Sequence, residues 1–136
     1  MEFLKLSLSG FDDFLVYFGL SLLFVALYLA IYVHVTPYRE FALIREGNAA
    51  AAASLSGSLI GFVLPLASAV IHSVNTWDMA LWAAIALVVQ IAVYAALRLL
   101  MPGLVRHIPD GKVGMGVFLG ASSLAAGILN AACMTY

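Results

Sequence analysis

Long runs of apolar residues alternate with short polar segments along the whole chain. Four of these runs carry almost no charge, over about residues 14–36, 49–72, 78–101 and 112–134. A helix rises about 1.5 Å per residue, so about 20 apolar residues cross the hydrocarbon core of a bilayer. The pattern therefore predicts an all-α integral membrane protein in which residues 1–136 form a single domain of four transmembrane helices.

The composition agrees with this pattern and excludes several classes of protein. Hydrophobic residues make up 65% of the chain and charged residues 10%, compared with about 45–50% and 25% in soluble domains. A net charge of −1 with six Lys and Arg residues provides no basic surface for nucleic acid, so we expect no nucleic-acid partner. The lipid bilayer is the partner that the composition does require.

The basic residues predict how the chain is oriented. Arg39 and Arg45 lie in the connection after span one, and Arg106 and Lys112 lie in the connection after span three. The connection between spans two and three has no Lys or Arg. Since basic residues are retained in cytoplasmic loops, the first and third loops are predicted to be cytoplasmic and both termini to lie outside.

The two halves of the chain share an order of features. Each half has a long apolar span, a loop with proline, an acidic residue followed by glycine, and a span rich in small residues. The shared loop element is residues 44–48 in the first half and 108–112 in the second. This order predicts two parallel hairpins that could have arisen by duplication, although the match beyond the loop element is weak.

Spans two and four carry small and polar residues at intervals of three and four. Residues at this spacing lie on one helix face, where small side chains let another helix approach closely. Two interpretations remain open, namely helix packing and the lining of a solvated path, and the first is favoured. The residues concerned, with Gln90 of span three, are Ser54, Gly57, Ser58, Gly61, Pro65, Ser68, Gly116, Gly120, Ser123, Gly127 and Asn130.

Spans one and three are bulkier and are expected to face lipid over much of their surface. Their aromatic residues include Tyr28, Tyr32 and Tyr94. Gln90 lies near the middle of span three, where an amide needs a partner. It is expected to bond to a neighbouring helix or, as the less favoured alternative, to a permeating species.

The first loop carries most of the candidate cytoplasmic motif. Proline at position 37 should end span one, residues 40–46 could form a short helix, and Asn48 is a natural N-cap for span two. Glu40 and Glu46 could belong to a salt-bridge cluster or to a docking surface. The full motif, which includes two residues of the third loop, is Thr36, Tyr38, Glu40, Glu46, Gly47, Asn48, Asp110 and Gly111.

Catalytic and metal-binding signatures are missing from the sequence. There is no His-Glu-x-x-His, no Gly-x-Ser-x-Gly and no Walker-type phosphate loop. We therefore expect no catalytic residue, no metal site and no cofactor, and we expect that the protein is not an enzyme.

The loop and span motifs together resemble a known family. The sequence reads Thr-Pro-Tyr-x-Glu-x-x-x-Ile-x-x-Gly-Asn-x-Ala-Ala-Ala from Thr36, then Gly61-Phe62-x-x-Pro65-Leu66-Ala67-Ser68-Ala69, with Leu129-Asn130-Ala131-Ala132 later. This text resembles the YjfL-like family of bacterial inner-membrane proteins, domain of unknown function 350. The resemblance implies a multi-pass protein of the bacterial inner (plasma) membrane and a setting of envelope stress, without a substrate or reaction.

Two functional hypotheses follow. The first is a non-enzymatic, envelope-stress-associated membrane protein whose cytoplasmic face recruits a cytoplasmic stress-response protein. The second is a small oligomeric channel or transporter with a path lined by the polar and small faces of spans two and four. A further possibility is a subunit whose only task is packing within a larger membrane complex. Between such a hetero-assembly and self-association, the sequence favours a homo-oligomer.

Overall fold

The computed structural model describes residues 1–134, apart from the side chains of residues 104 and 105, and every regular secondary-structure element in this range is a helix. The helices are α1 (Glu2–Leu8), α2 (Phe11–Val35), α3 (Glu40–Arg45), α4 (Ala49–His72), α5 (Thr76–Leu100), α6 (Pro102–Arg106) and α7 (Val113–Ala132). Four helical segments are long and apolar enough to cross a membrane, the first of them combining α1 and α2. The all-α prediction is confirmed.

Local sequence explains where the long helices begin and end. The Asn48 side chain caps α4 by accepting a hydrogen bond from the Ala51 amide at 3.0 Å, as predicted. Asn75 caps α5 in the same way through the Asp78 amide at 2.9 Å. Residues 36–39 separate α2 from α3, and the short helix expected in the first loop is α3.

The loops of residues 36–48 and 101–112 lie at the same end of the bundle, which we call the basic end because Arg39, Arg45, Arg106 and Lys112 are there. Since α4 follows the first of these loops and α7 follows the second, both helices start at the basic end and run parallel. Their contacts confirm this arrangement, because Ala50 faces Gly116 and, further along both helices, Gly61 faces Gly127.

The helices α4 and α7 form the packed centre of the molecule, and α2 is the most peripheral span. Half of the most apolar stretch of α4 is buried within the protein, compared with 6% of the corresponding stretch of the first span. The large apolar side chains in the first half of α2 are mostly exposed, as expected for a lipid-facing helix. This packing agrees with the sequence-based expectation that the small-residue faces of spans two and four allow close approach of another helix.

The two halves use the same turn before their last helix. Gly47 and Gly111 have positive φ angles of 86° and 78°, a conformation that glycine adopts without steric strain. In each turn the residue after glycine donates its amide to a carbonyl five residues earlier, from Asn48 to Leu43 and from Lys112 to His107. This pairing is the hydrogen-bond pattern of a Schellman turn.

Candidate functional site

Glycine residues allow α4 and α7 to pack backbone against backbone. A Cβ atom added to Gly116 would overlap with the backbone of Ala50, and one added to Gly127 would overlap with the backbone of Gly61. No side chain larger than hydrogen fits at these positions. We call this contact the glycine seam, and its members are Gly57, Gly61, Gly116, Gly120 and Gly127.

The seam decides how the predicted small-residue faces are used. Both faces point at each other within one chain, so these glycines contact protein backbone and not a water-filled path. Pro65 is also buried, and the Ser68 hydroxyl donates to the Ala131 carbonyl of α7 at 3.4 Å. The geometry therefore favours the packing interpretation of the two stripes. The side-chain nitrogen of Asn130 is buried and makes no hydrogen bond among the described residues.

Buried hydroxyls and one amide link α2, α4, α5 and α7 beside the seam. Ser58 bonds to the hydroxyls of Tyr32 and Ser123 at 3.2 and 3.3 Å. The Gln90 side chain donates to the Ser123 carbonyl at 3.1 Å, which agrees with the expected bond to a neighbouring helix. Ser54 is fully buried and donates to the Ala51 carbonyl of its own helix at 3.1 Å. We call these residues the polar column.

A second group of polar residues, mostly buried, lies where α2, α3, α4 and α5 meet near the basic end. We call Tyr32, Tyr38, Glu40 and Tyr94 the acid cluster. Tyr32 and Tyr94 pack edge to face with ring centroids 5.3 Å apart, and both rings are buried. The Tyr38 hydroxyl lies near the Glu40 carboxyl and near Ser54. The cluster therefore contacts the polar column at Ser54 and shares Tyr32 with it.

Glu40 is the most unusual residue of the cluster. It is 1% exposed, and neither of its carboxyl oxygens makes a hydrogen bond of ordinary geometry among the described residues. The hydroxyls of Tyr38 and Tyr94 are likewise buried without a hydrogen bond of ordinary geometry there, although Arg98 lies beside Tyr94. Burial raises the pKa of Glu40 from its ordinary value of 4.5 to about 7, and the nearby Tyr38 hydroxyl offsets part of this rise.

The burial of Glu40 changes the interpretation of the first loop. A carboxyl group with this little exposure cannot contribute to a docking surface, and within residues 1–134 it takes part in no salt bridge. Glu40 therefore belongs neither to a salt-bridge cluster nor to a docking surface, the two roles that the sequence suggested for it. Glu46, in contrast, is exposed and remains available to a partner.

The first and third loops are joined at the basic end by Asn48. Its side-chain nitrogen donates to the Ile108 and Pro109 carbonyls at 3.1 and 3.3 Å, while its oxygen caps α4. Between the loops lies a cleft of about 430 Å³, which we call the loop cleft. It is lined by Leu43, Glu46, Gly47, Asn48, Ala49, Pro109, Asp110, Gly111 and Val113.

The loop cleft brings together most of the predicted cytoplasmic motif. Glu46 and Asp110 are both exposed, one on each loop, and Asp110 lies 3.5 Å from the His107 ring. Thr36 is outside the cleft, where its buried hydroxyl donates to the Val33 and Tyr38 carbonyls at 3.3 and 3.4 Å. Tyr38 and Glu40 belong to the acid cluster instead. The sequence motif therefore divides into two separate sites.

Three tyrosines are placed differently from the sequence expectation. Tyr28, Tyr32 and Tyr94 were assigned to helices with extensive lipid exposure, but each is at most 1% exposed. Tyr28 stacks on Phe62 of α4 with centroids 4.6 Å apart. Their burial was missed because apolar and aromatic residues surround them in sequence on every side of the helix. The spacing of Tyr28 and Tyr32, one turn apart, was the available signal.

The described residues contain no group of three or more His, Cys, Asp or Glu side chains that could hold a metal ion. Cys133 is exposed, and its sulfur forms no disulfide. The chemistry of the two sites is therefore that of carboxyl groups, hydroxyls and backbone.

Comparison with known proteins shows which family the chain resembles. The sequence profile described as Domain of Unknown Function (DUF350) matches residues 5–134. The chain is 44% identical over 123 residues to the "UPF0719 inner membrane protein YjfL" of Escherichia coli strain K12, covering 90% of this chain and 93% of that protein. The protein of the same description from Escherichia coli O157:H7 has the same identity and coverage. No solved structure matches the chain.

Proposed function

The chain belongs to the DUF350 family of inner-membrane proteins, and from the geometry of its basic end we propose that the loop cleft binds a cytoplasmic protein partner. The observation that carries this proposal is the bridge from Asn48 to the Ile108 and Pro109 carbonyls. The bridge holds two loops that are 60 residues apart in sequence as the two walls of one cleft. A preorganised surface binds with a smaller loss of conformational entropy than two independent loops would.

The cleft also has a defined chemistry. Glu46 and Asp110 place one exposed carboxylate on each wall, and Leu43 and Val113 add apolar surface between them. Opposite charge steers association and selects partners. The partner that fits is a protein segment with Lys or Arg residues next to an apolar anchor. This protein's own Arg and Lys side chains surround the cleft and repel a basic partner. The partner's Lys or Arg residues would therefore have to contact Glu46 and Asp110 directly.

We further propose that this binding is non-enzymatic and serves the envelope-stress setting that the family resemblance implies. The cleft is open, and it combines carboxylates and backbone without a nucleophile and base held together. Such a surface is suited to recruitment. In the orientation inferred from the basic loops, the cleft faces the cytoplasm, where a soluble stress-response protein could reach it.

Charge reversal at the cleft tests the proposal. The double variant Glu46→Lys/Asp110→Lys should insert normally but should lose at least about tenfold in recovery of its partner after cross-linking in native membranes and affinity purification. Asp12→Lys/Asp13→Lys is the matched control, because both acids are exposed and lie at the far end of α2. If the cleft variant and the control retain the same cytoplasmic protein equally, the cleft is not the recruitment site.

Self-association is a separate proposal. The exposed rings of Phe11, Phe14 and Phe18 stack along the first half of α2, with centroids 5.9 and 5.6 Å apart. This ordered apolar face is suited to packing against a second copy of α2, so we propose a homo-oligomer. Native mass spectrometry from lipid nanodiscs should then show a defined multimer that the variant Phe14→Ala/Phe18→Ala reduces to monomer. A wild-type protein that is monomeric at every lipid ratio would contradict this proposal.

A further inference from the structure

The carboxyl group of Glu40 is placed where an ionised form is unfavourable. Both of its oxygens are buried, and neither has a hydrogen-bond partner of ordinary geometry among the described residues. An unpaired charge in a medium of low polarity costs several kcal/mol, so such a group exists as the neutral acid or acquires a cation. The negative charge of Glu40 must therefore be neutralised, either by a proton or by a metal cation.

Within the part of the chain that the structure describes, the groups that face Glu40 from the surrounding elements carry no fixed positive charge. Tyr32 faces it from α2, Tyr38 from the turn before α3 and Tyr94 from α5, and Ser54 of α4 contacts Tyr38. Arg98 of α5 is beside Tyr94, but its guanidinium is exposed and donates to the Val35 carbonyl at 3.1 Å. On the loop itself, Arg39 and Arg45 are exposed and make no salt bridge with Glu40.

The same neighbours suit a proton better than a metal ion. The site offers one carboxyl group and uncharged hydroxyls, and residues 1–134 contain no cluster of acidic or imidazole ligands. Divalent cations require several oxygen ligands with more negative charge than one carboxylate provides. Burial and the nearby carboxylate also raise the pKa of Tyr38, so its hydroxyl stays protonated and can accept or donate a hydrogen bond.

Glu40 also has a route to water. An open depression of about 380 Å³ lies at the basic end beside α3, and Glu40 and Tyr38 are among its lining residues. Arg39 and Arg45 contribute to its rim. The carboxyl oxygens themselves are buried, but the residue borders the depression, so the shortest path for a proton from water starts here and does not cross the apolar part of the bundle.

We propose that Glu40 is a proton-binding site that exchanges with the cytoplasm through the depression beside α3. A proton from hydronium forms an O–H bond with one carboxyl oxygen and leaves water behind, and release reverses this step without any other reactant. The Tyr38 hydroxyl can donate to the ionised carboxylate, and it can accept a hydrogen bond from the neutral acid, so the two groups can stay paired in both states. The burial that raises the pKa of Glu40 to about 7 brings this exchange into the physiological range.

Proton exchange at this position acts on the first loop. Glu40 is the first residue of α3, and the turn after α3 carries Gly47 and Asn48 of the loop cleft. Ionisation of Glu40 therefore destabilises the packing of α3 against the bundle, and α3 leads into the turn that forms one wall of the cleft. This consequence rests on the proposed function of the cleft, whereas the proton site itself does not.

Infrared difference spectroscopy measures the proton directly. Wild-type protein in nanodiscs, labelled with isotopic glutamate, should show the C=O stretch of a protonated glutamic acid that is lost with a midpoint near pH 7. Glu40→Gln should abolish this band. Glu46→Gln is the matched control, because Glu46 is an exposed acid at the other end of the same short helix, and this variant should keep the band.

Three results would overturn the proposal. The first is a band that persists in Glu40→Gln, and the second is a titration near pH 4.5, the ordinary value of a glutamic acid. The third is a midpoint that moves with sodium concentration at constant ionic strength, which would assign the site to a metal cation. Tyr38→Phe provides a second test if Glu40→Gln does not fold, because it keeps the aromatic ring and changes no charge. This variant should preserve the glutamic acid band and shift the midpoint of its titration upward, since the Tyr38 hydroxyl favours the ionised form of Glu40.

Discussion

The glycine seam and the acid cluster are both buried where helices meet, but only the seam has all of its contacts satisfied. In the seam, helix backbones whose hydrogen bonds are internal pack directly against each other. In the cluster, the Tyr38 and Tyr94 hydroxyls and both oxygens of Glu40 are buried without a hydrogen bond of ordinary geometry among the described residues. Close packing stabilises a bundle in lipid, whereas unpartnered polar groups destabilise it.

This difference indicates what each region is for. Replacing the cluster by apolar side chains of similar size would remove the unpartnered groups, so stability alone does not explain its composition. The seam needs no explanation beyond packing, because each of its glycines is required by a backbone contact. We therefore assign the structural role to the seam and expect the chemistry to reside in the cluster and the loop cleft.

The largest effect is expected from a bulky residue in the seam. Gly116→Leu would drive a side chain into the backbone of Ala50, and backbone cannot move aside as a flexible side chain can. We expect a loss of at least about 3 kcal/mol in the free energy of unfolding, measured by SDS titration in mixed micelles with circular dichroism.

Gly114→Leu is the control for this variant. Gly114 lies on the same helix, is exposed, and has no atom within 4 Å of an added Cβ. Its replacement should change stability by no more than about 0.5 kcal/mol. Equal losses in the two variants would mean that α4 and α7 are not in backbone contact.

The next effect is a pH dependence that comes from the acid cluster. The pKa of Glu40 is about 7 in the folded protein and 4.5 as its ordinary value, so between these values the folded state binds the proton more tightly. Stability should therefore be highest below pH 4.5, should fall as the pH rises to about 7 and should level off above it. Melting temperatures across this range measure the slope.

Two variants decide whether Glu40 causes that slope. Glu40→Gln cannot titrate, so its melting temperature should lose this pH dependence and should exceed that of the wild type above pH 7. Glu46→Gln should retain the wild-type slope, since Glu46 is exposed. A slope that survives in Glu40→Gln would place the titrating group elsewhere.

The same comparison shows how far the sequence alone can predict this molecule. The seam follows from one-dimensional spacing, because Gly57, Gly61, Gly116 and Gly120 recur at helical intervals and small residues there have one main use. The four spans and the Asn48 cap also follow from local rules. Each of these features depends on residues within one helix or at its end.

The acid cluster could not be predicted in this way. Tyr32, Tyr38, Glu40 and Tyr94 come from three helices and a turn, and no spacing relates them. Their burial depends on how α3 folds back against the bundle, and the sequence only indicates that α3 exists. The bond from Asn48 to the third loop was missed for the same reason, since it joins positions 60 residues apart.

A smaller effect is expected where Asn48 joins the loops. Asn48→Ala removes the cap on Ala51 and the bonds to the Ile108 and Pro109 carbonyls. We expect a loss of about 2 kcal/mol, from about 1 for the cap and the remainder for the two bonds. SDS titration measures the loss, and faster proteolysis of the third loop should accompany it.

Asn75→Ala separates the two contributions. Asn75 caps α5 through the Asp78 amide at 2.9 Å, is exposed, and makes no hydrogen bond to another loop within residues 1–134. Its loss should be about 1 kcal/mol. If Asn48→Ala loses no more than this, the bridge between the loops adds nothing to stability and the preorganisation of the cleft is weaker than proposed.

The smallest effect is expected at Gln90, because one of its polar atoms is hydrogen-bonded, as in the seam, and the other is not, as in the cluster. Its nitrogen donates to the Ser123 carbonyl beside the seam, whereas its oxygen is buried without a partner, as in the cluster. Interhelical bonds in membranes contribute about 0.6 kcal/mol on average, and leucine would also remove the unpartnered oxygen. Gln90→Leu should therefore change the free energy of unfolding by less than about 1 kcal/mol relative to Val88→Leu, an exposed position of the same helix. A loss above about 2 kcal/mol would mean that the Gln90 oxygen is satisfied in the membrane, and would extend the polar role of the cluster to the middle of the bundle.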